Sequence, residues 1–371
     1  MGWVVYEITG SGALLGAVLG VRAIPMLLLT PLSGIAADRY DRRRLLQASQ
    51  ALAAAVSFAL GAALALGAVS TWMLFAFTML MGAANVMDRP ARMTTAFEVV
   101  PREVAAQAVA LNTIGFSMMR VIGPAAAGYL IAWFGAAGSF FIQGVLYLTS
   151  GLMVLMVAFP ARRQAAPERS ALADMIEGIR FAARDPSTRV LVAVGALPYF
   201  LLVPVWGTLF PIYAKDVFAA GPQGLGMLLT AVGAGGTLGG FIANALARAE
   251  RQGLIQSSWV VVMSAAIAGL AASPSLAVAL VFGFLGGAAE MAHTASNMAT
   301  LQLSAPDAMR GRIASLTMLY PAMISMGAFV AGPLSDLLGV RGASLALAAT
   351  AIVAVLVLYL SSSRLRELRV R

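Results

Sequence analysis

The sequence contains no cysteine, one histidine and one lysine. Without cysteine, disulfide scaffolds and thiolate metal sites are excluded. His293 alone cannot supply the two histidines of a zinc-protease helix. Lys215 follows Ala214, so there is no Gly-Lys-Ser/Thr phosphate loop and no recognisable ATPase. Charge is scarce as well. Only 11% of the 371 residues are charged and 60% are hydrophobic, against about 25% and 45–50% in an ordinary soluble chain. A soluble globule cannot bury that much apolar side chain. No nucleophile–base pair or metal cluster is visible, so the expectation is a protein that is not an enzyme and needs no cofactor.

What is present is a series of long apolar stretches such as Leu254–Ala272 and Ala343–Leu360, of the ~17–25 residues that cross a bilayer as helix. The ~10-residue alternating segments of an outer-membrane barrel are absent. Approximate spans run over 12–33, 45–66, 72–92, 106–132, 137–159, 189–213, 223–247, 254–272, 275–298, 312–334 and 343–361. The expected fold is an all-α integral membrane protein with eleven complete transmembrane helices plus the end of a first. Trp3 to Tyr6, apolar with interface aromatics before the break at Glu7–Gly10, reads as that end. An upstream coding region for about 15–20 further apolar residues is expected.

When alternate loops are assigned to opposite sides, 21 basic residues fall on one side, including the four from Arg364 to Arg371. Lys215 and Arg341 fall on the other, and Arg22 and Arg120 lie inside spans. The positive-inside bias places the arginine-rich side and the C-terminus in the cytoplasm. The net charge of +9 therefore reports topology and lipid contact, not nucleic-acid binding.

The chain also resembles itself. At an offset of about 204, Ala110, Thr113, Met119, Gly123, Gly128, Leu130, Gly135 and Gly138 meet Ala314, Thr317, Met323, Gly327, Gly332, Leu334, Gly339 and Gly342. Near 206, Gly20, Leu32, Gly34 and Ala37 meet Gly226, Leu238, Gly240 and Ala243. An even number of spans separates the copies, so both insert the same way up. The expected architecture is two parallel, pseudo-symmetric six-helix bundles, 1–159 and 189–371, with a substrate site between them. They are joined by a cytoplasmic linker, 160–188, with an amphipathic segment at Ala171–Ala183.

Between the first two complete spans stands Gly34-Ile-Ala-Ala-Asp38-Arg39-Tyr-Asp-Arg42-Arg43-Arg44. This resembles the signature loop of the major facilitator superfamily, with Asp41 where that family usually has a second glycine. Asp88-Arg-Pro-Ala-Arg92, Ala110-Leu-Asn112, Arg120-Val-Ile-Gly-Pro124 and Met309-Arg-Gly-Arg312 are similar to its enterobactin-exporter-like branch of multidrug and siderophore efflux proteins. The resemblance implies a secondary transporter, with Gly34, Asp38, Arg39, Arg42 and Arg43 as a cytoplasmic conformational latch and Asp38 facing the start of the span opened by Arg310-Gly-Arg312. Asn244 stands for the aspartate in the second half, so the latch is expected to be asymmetric.

Ionisable groups inside a bundle are costly and usually face a cavity or a partner. Glu290 is the one acid well inside a span, with His293 and Asn297 at i+3 and i+7; Asn85, Asp88 and Arg92 take the equivalent positions of the first half. These six are the candidate proton and substrate cavity residues, Glu290 exchanging a proton and His293 tuning it. Alternatively, Glu290 and His293 form a polar clamp, Glu290 a permanent acceptor for a neighbouring helix through Arg120. Arg22 and Arg120 either snorkel or bridge to a neighbour. Pro198, Pro204 and Pro211 interrupt one span near Tyr199 and Trp206, and Gly235, Gly236, Gly239 and Gly240 read as a tight packing surface. The leading expectation is a monomer that exports small amphipathic molecules on a proton or other ion gradient. Its partners are that small-molecule substrate and membrane lipids, with no nucleic acid. An importer of a small nutrient and a non-transporting membrane sensor or partner protein are the alternatives.

Overall fold

The computed structural model describes residues 1–30, 41–157, 159, 171–247, 249–306, 309–317 and 319–367. Gly34, Asp38 and Arg39 of the signature loop lie outside the described residues. The described elements are helical: α1 (Gly2–Thr9), α2 (Gly12–Gly20, resuming over 23–30), α3 (Arg42–Ala65), α4 (Thr71–Glu98), α5 (Ala105–Met156), α6 (Ala171–Arg184), α7 (Pro186–Leu201), α8 (Gly221–Leu246), α9 (Gln252–Ala272), α10 (Leu276–Ser304), α11 (Arg310–Thr317), α12 (Tyr320–Ser361) and α13 (Ser363–Arg366). Eight of the helical runs are long and apolar enough to cross a membrane by length and composition. Two of them, α5 and α12, are each a pair of helices broken at Gly135 and Gly339. With α4 added, these account for the eleven expected spans.

The two breaks are the firmest structural trace of the duplication. Gly135 and Gly339 have φ of 70° and ψ of 177° and 161°, a conformation essentially confined to glycine, and they are partners at the offset of 204. The next aligned pair behaves alike. A Cβ on Gly138 would stand 2.6 Å from that of Phe134, and one on Gly342 3.0 Å from that of Leu338.

The chain packs as two compact units. One comprises Met1–Gly20, Arg120–Tyr129 and Met175–Arg371; the other comprises Val21–Met119 and Leu130–Asp174. This division departs from the boundaries of the repeat because two glycine contacts draw early segments onto later helices. In the larger unit a Cβ on Gly332 of α12 would lie 2.7 Å from Gly16 Cα of α2, and one on Gly128 of α5 3.2 Å from Gly226 Cα of α8. Backbones approach this closely only without side chains. The glycines of α8 behave as expected: Cβ atoms on Gly235 and Gly239 would run into the carbonyl oxygens of Phe284 and Ala288 on α10. The amphipathic linker segment forms α6, whose Phe181 packs against a core of Leu191, Leu301, Ala305 and Ile313.

In the smaller unit, α3 packs on α4, and Phe77 meets Phe140 edge-on with ring centroids 5.2 Å apart. The stem of Arg22 lies against Gly82 of α4. Asp41, the departure from the signature pattern, caps α3 by accepting a hydrogen bond from Arg43 N at 2.8 Å. An aspartate here replaces turn flexibility with a helix start.

Candidate functional site

Residue by residue, α10 is built to hold one carboxylate away from water. Glu290 sits in its middle, with a side chain only 14% exposed. One turn earlier is Gly286, where a Cβ would stand 2.8 and 2.9 Å from Cη2 and Cζ2 of Trp206. The missing side chain is what admits the indole. Trp206 lies beyond α7, in a stretch (Val205–Leu209) wound as π-helix, with Pro204 just before it. Pro204 supplies no amide hydrogen, so the ladder must be re-formed there. The indole Nε1 donates to Glu290 Oε2 at 3.1 Å.

The other carboxylate oxygen faces Arg120, whose Nη2 stands 3.3 Å from Glu290 Oε1. Arg120 reaches it along the glycine face of α8: its carbonyl crowds Gly233, and its guanidinium carbon lies 3.3 Å from where a Cβ on Gly236 would be. Arg120 therefore bridges helices. Glu290 is the more buried member, and truncating Arg120 would leave its charge without a counter-ion. The contact is 3.3 Å long and the guanidinium side chain is 35% exposed.

His293 and Asn297 are not brought to Glu290. Both are buried, at 1% and 2% exposure. His293 Nδ1 donates to the Gln256 carbonyl of α9 at 3.2 Å. Asn297 donates to the Leu191 carbonyl of α7 and to Gln256 Oε1, each at 3.0 Å, and accepts from the Tyr320 hydroxyl at 3.3 Å. Two turns of helix carry Asn297 about 10 Å along the axis from Glu290, so a shared face is not a shared site. These two members of the candidate set form a polar clamp joining α7, α9, α10 and α12. Tyr199 stands between the two groups. Its hydroxyl pairs with Thr294 Oγ1 at 2.9 Å, and its ring lies 5.0 Å from that of Tyr320.

In the first half, Asp88 accepts from Gln50 Nε2 at 2.7 Å and from Ser49 Oγ at 3.3 Å, and it pairs with Arg92 at 2.5 Å. Arg92 also reaches Ser150 at 3.2 Å. Asn85 is turned back on its own helix, donating to the Met81 carbonyl at 2.8 Å. Gln50 and Gln256 are themselves separated by 206 residues, so each half uses an equivalent glutamine to fix the polar face of the next helix. Of the other latch residues, Arg43 donates to the Leu155 carbonyl at 2.5 Å and Arg42 is half-buried. Arg312, expected opposite Asp38, pairs with Glu177 of α6 at 2.5 Å.

The sequence profile of the family described as transmembrane secretion effector matches residues 1–370. The chain belongs to this family. Its members are secondary transporters of the major facilitator superfamily, multi-pass integral membrane proteins. Among curated proteins, the chain is 27% identical over 362 residues to the multidrug efflux pump Tap of Mycolicibacterium fortuitum, covering 93% of this chain and 86% of the relative. It is 22% identical over 350 residues to the staphyloferrin A transporter of Staphylococcus aureus, covering 92% and 85%. Among solved structures, the nucleoside transporter NupG superposes with a TM-score of 0.77 at 15% identity, covering 97% of this chain and 92% of that one. A bacterial Spinster homologue in an inward-facing, occupied conformation gives 0.76 at 14% identity, covering 98% and 91%. These likenesses show the major facilitator fold.

Sequence reasoning singled out Glu290 and Arg120 of this transporter but did not identify Trp206, Gln256 or Tyr320 as partners. Gln256 carried a readable signal, a lone amide inside an apolar stretch at the repeat position of Gln50. The indole contact depends on the π-helical winding, which has no comparable signature.

Proposed function

We propose that this chain is a proton-coupled exporter of small amphipathic molecules, resident in a bacterial cytoplasmic membrane with its C-terminus in the cytoplasm. The observation that carries the reading is the carboxylate of Glu290, held inside a spanning helix between one removable cation and one neutral donor. Protonation of Glu290 removes the charge that attracts Arg120 but leaves an oxygen for Trp206. Arg120 belongs to the proposed first bundle, 1–159, and Glu290 and Trp206 to the second, 189–371. A proton on Glu290 therefore loosens the bundles from one another, and its release restores the tie. Competition between that proton and a cationic or polar substrate for one carboxylate is the exchange an antiporter needs.

The outward direction and the substrate class are supported by the names of the relatives, a multidrug efflux pump and a siderophore transporter. The orientation is supported by the arginine distribution. Gly34, Asp38, Arg39, Arg42 and Arg43 act as the cytoplasmic latch, and the carrier works as a monomer without catalysing a covalent reaction. In proteoliposomes, an imposed pH gradient is expected to drive a fluorescent amphipathic dye uphill, and a protonophore should abolish the movement. Dye that only equilibrates, with or without a gradient, would remove the coupling; dye binding without any flux would turn the protein into a sensor.

A further inference from the structure

The end of α2 away from the signature loop is fastened by an aspartate from another helix. Asp336 of α12 accepts hydrogen bonds from Gly12 N at 2.7 Å, Ala13 N at 2.9 Å and the Ser11 hydroxyl at 3.0 Å. The first amides of a helix have no partner within it and carry the positive end of its dipole. Here they are satisfied by a carboxylate more than three hundred residues away in the chain. The Ser11 hydroxyl also accepts from Leu14 N at 3.2 Å, tying the cap into the first turn.

The surfaces below this cap have no side chains to keep them apart. A Cβ on Gly12 would run into Ser335 Oγ, and one on Gly16 would stand 2.8 Å from Gly332 Cα. The neighbouring turn is held from a second side, where the Tyr6 hydroxyl donates to Asp216 and Lys215 Nζ reaches the Tyr6 carbonyl at 3.5 Å. The turn is shaped for this by Gly10, at φ 60°.

We propose that Asp336 is a clasp that closes this end of the transporter, capping α2 in one state of the cycle and releasing it in the other. On the bundle division proposed above, Ser11–Ala13 belong to the first bundle and Asp336 to the second. Separation of α2 from α12 therefore requires three donors to leave one carboxylate together. The clasp would then oppose the signature-loop latch at the other end of the same helix. Its contacts are independent of Glu290, so the inference requires alternating access but neither proton coupling nor export.

The absence of cysteine supplies the assay. Ser335→Cys places a single thiol against Gly12, where Ser335 is 7% exposed, and its reaction with a maleimide in purified, detergent-solubilised protein reports separation of the two helices. Adding Asp336→Asn should raise the labelling rate about tenfold or more, the equilibrium change expected on losing charge-assisted hydrogen bonds to a carboxylate. Ser11→Ala removes one of the three bonds from an accessible position and should raise the rate a few-fold in protein of normal abundance. Unchanged labelling in Asp336→Asn would overturn the clasp. If that variant does not accumulate, unchanged labelling in Ser11→Ala would do the same.

Discussion

Gly286→Ala tests whether the indole of Trp206 is seated by the absence of one methyl group. The added Cβ would stand 2.8 and 2.9 Å from the far edge of the indole, more than half an ångström inside ordinary carbon–carbon contact. Trp206 is 5% exposed and cannot swing freely, so overpacking of this kind should cost about 1–3 kcal/mol of stability. The displaced indole also loses its 3.1 Å hydrogen bond to Glu290. A bond to a charged acceptor is worth about 1.5–3 kcal/mol, so gradient-driven transport should fall roughly tenfold or more. Two assays separate the effects: thermal unfolding in detergent, and dye transport in proteoliposomes at matched protein density. The double variant Gly286→Ala/Trp206→Phe removes the clashing ring edge and should recover most of the lost stability without recovering transport, because phenylalanine cannot donate to Glu290. Unchanged unfolding and transport in Gly286→Ala would refute the packing argument. Recovery of both in the double variant would show that the hydrogen bond has no part in transport.

Asn297→Ala should lower stability by about 2–4 kcal/mol, because it orphans the Leu191 carbonyl and Gln256 Oε1 in the interior; thermal unfolding checks this, and transport per folded molecule should change little. Gly135→Ala and Gly339→Ala should each cost about 1–3 kcal/mol, since both place a side chain at φ 70°. Measured side by side, the two losses should be similar, as befits equivalent positions in a duplication.

Much of the fold could be read from particular residues. The apolar runs give the spans, and the pairing of Gly135 with Gly339 anticipates two helix breaks with nearly the same dihedrals. The boundaries were less legible. Helix α4 continues to Glu98 and α10 to Ser304, beyond the apolar stretches, because helix persists on the polar side where hydropathy no longer marks it. Within the site, helical periodicity placed Glu290, His293 and Asn297 together, but periodicity ignores distance along the axis and the identity of the facing helix. The role of Asp336 is illegible in the sequence for a related reason. It lies near the end of a span, where an aspartate reads as ordinary loop polarity, and its importance comes from the three donors that the fold brings to it.

The central claim is that Glu290 couples proton and substrate movement, and Glu290→Gln tests it most directly. Glutamine keeps the length of the side chain and can still accept from Trp206, but it cannot exchange a proton. In proteoliposomes with protein incorporation matched to the unsubstituted chain, Glu290→Gln should still let dye equilibrate down its own gradient while losing all uphill movement driven by a pH gradient. Uphill transport at the unsubstituted rate would contradict the account and leave Glu290 as a fixed tie between Arg120 and Trp206.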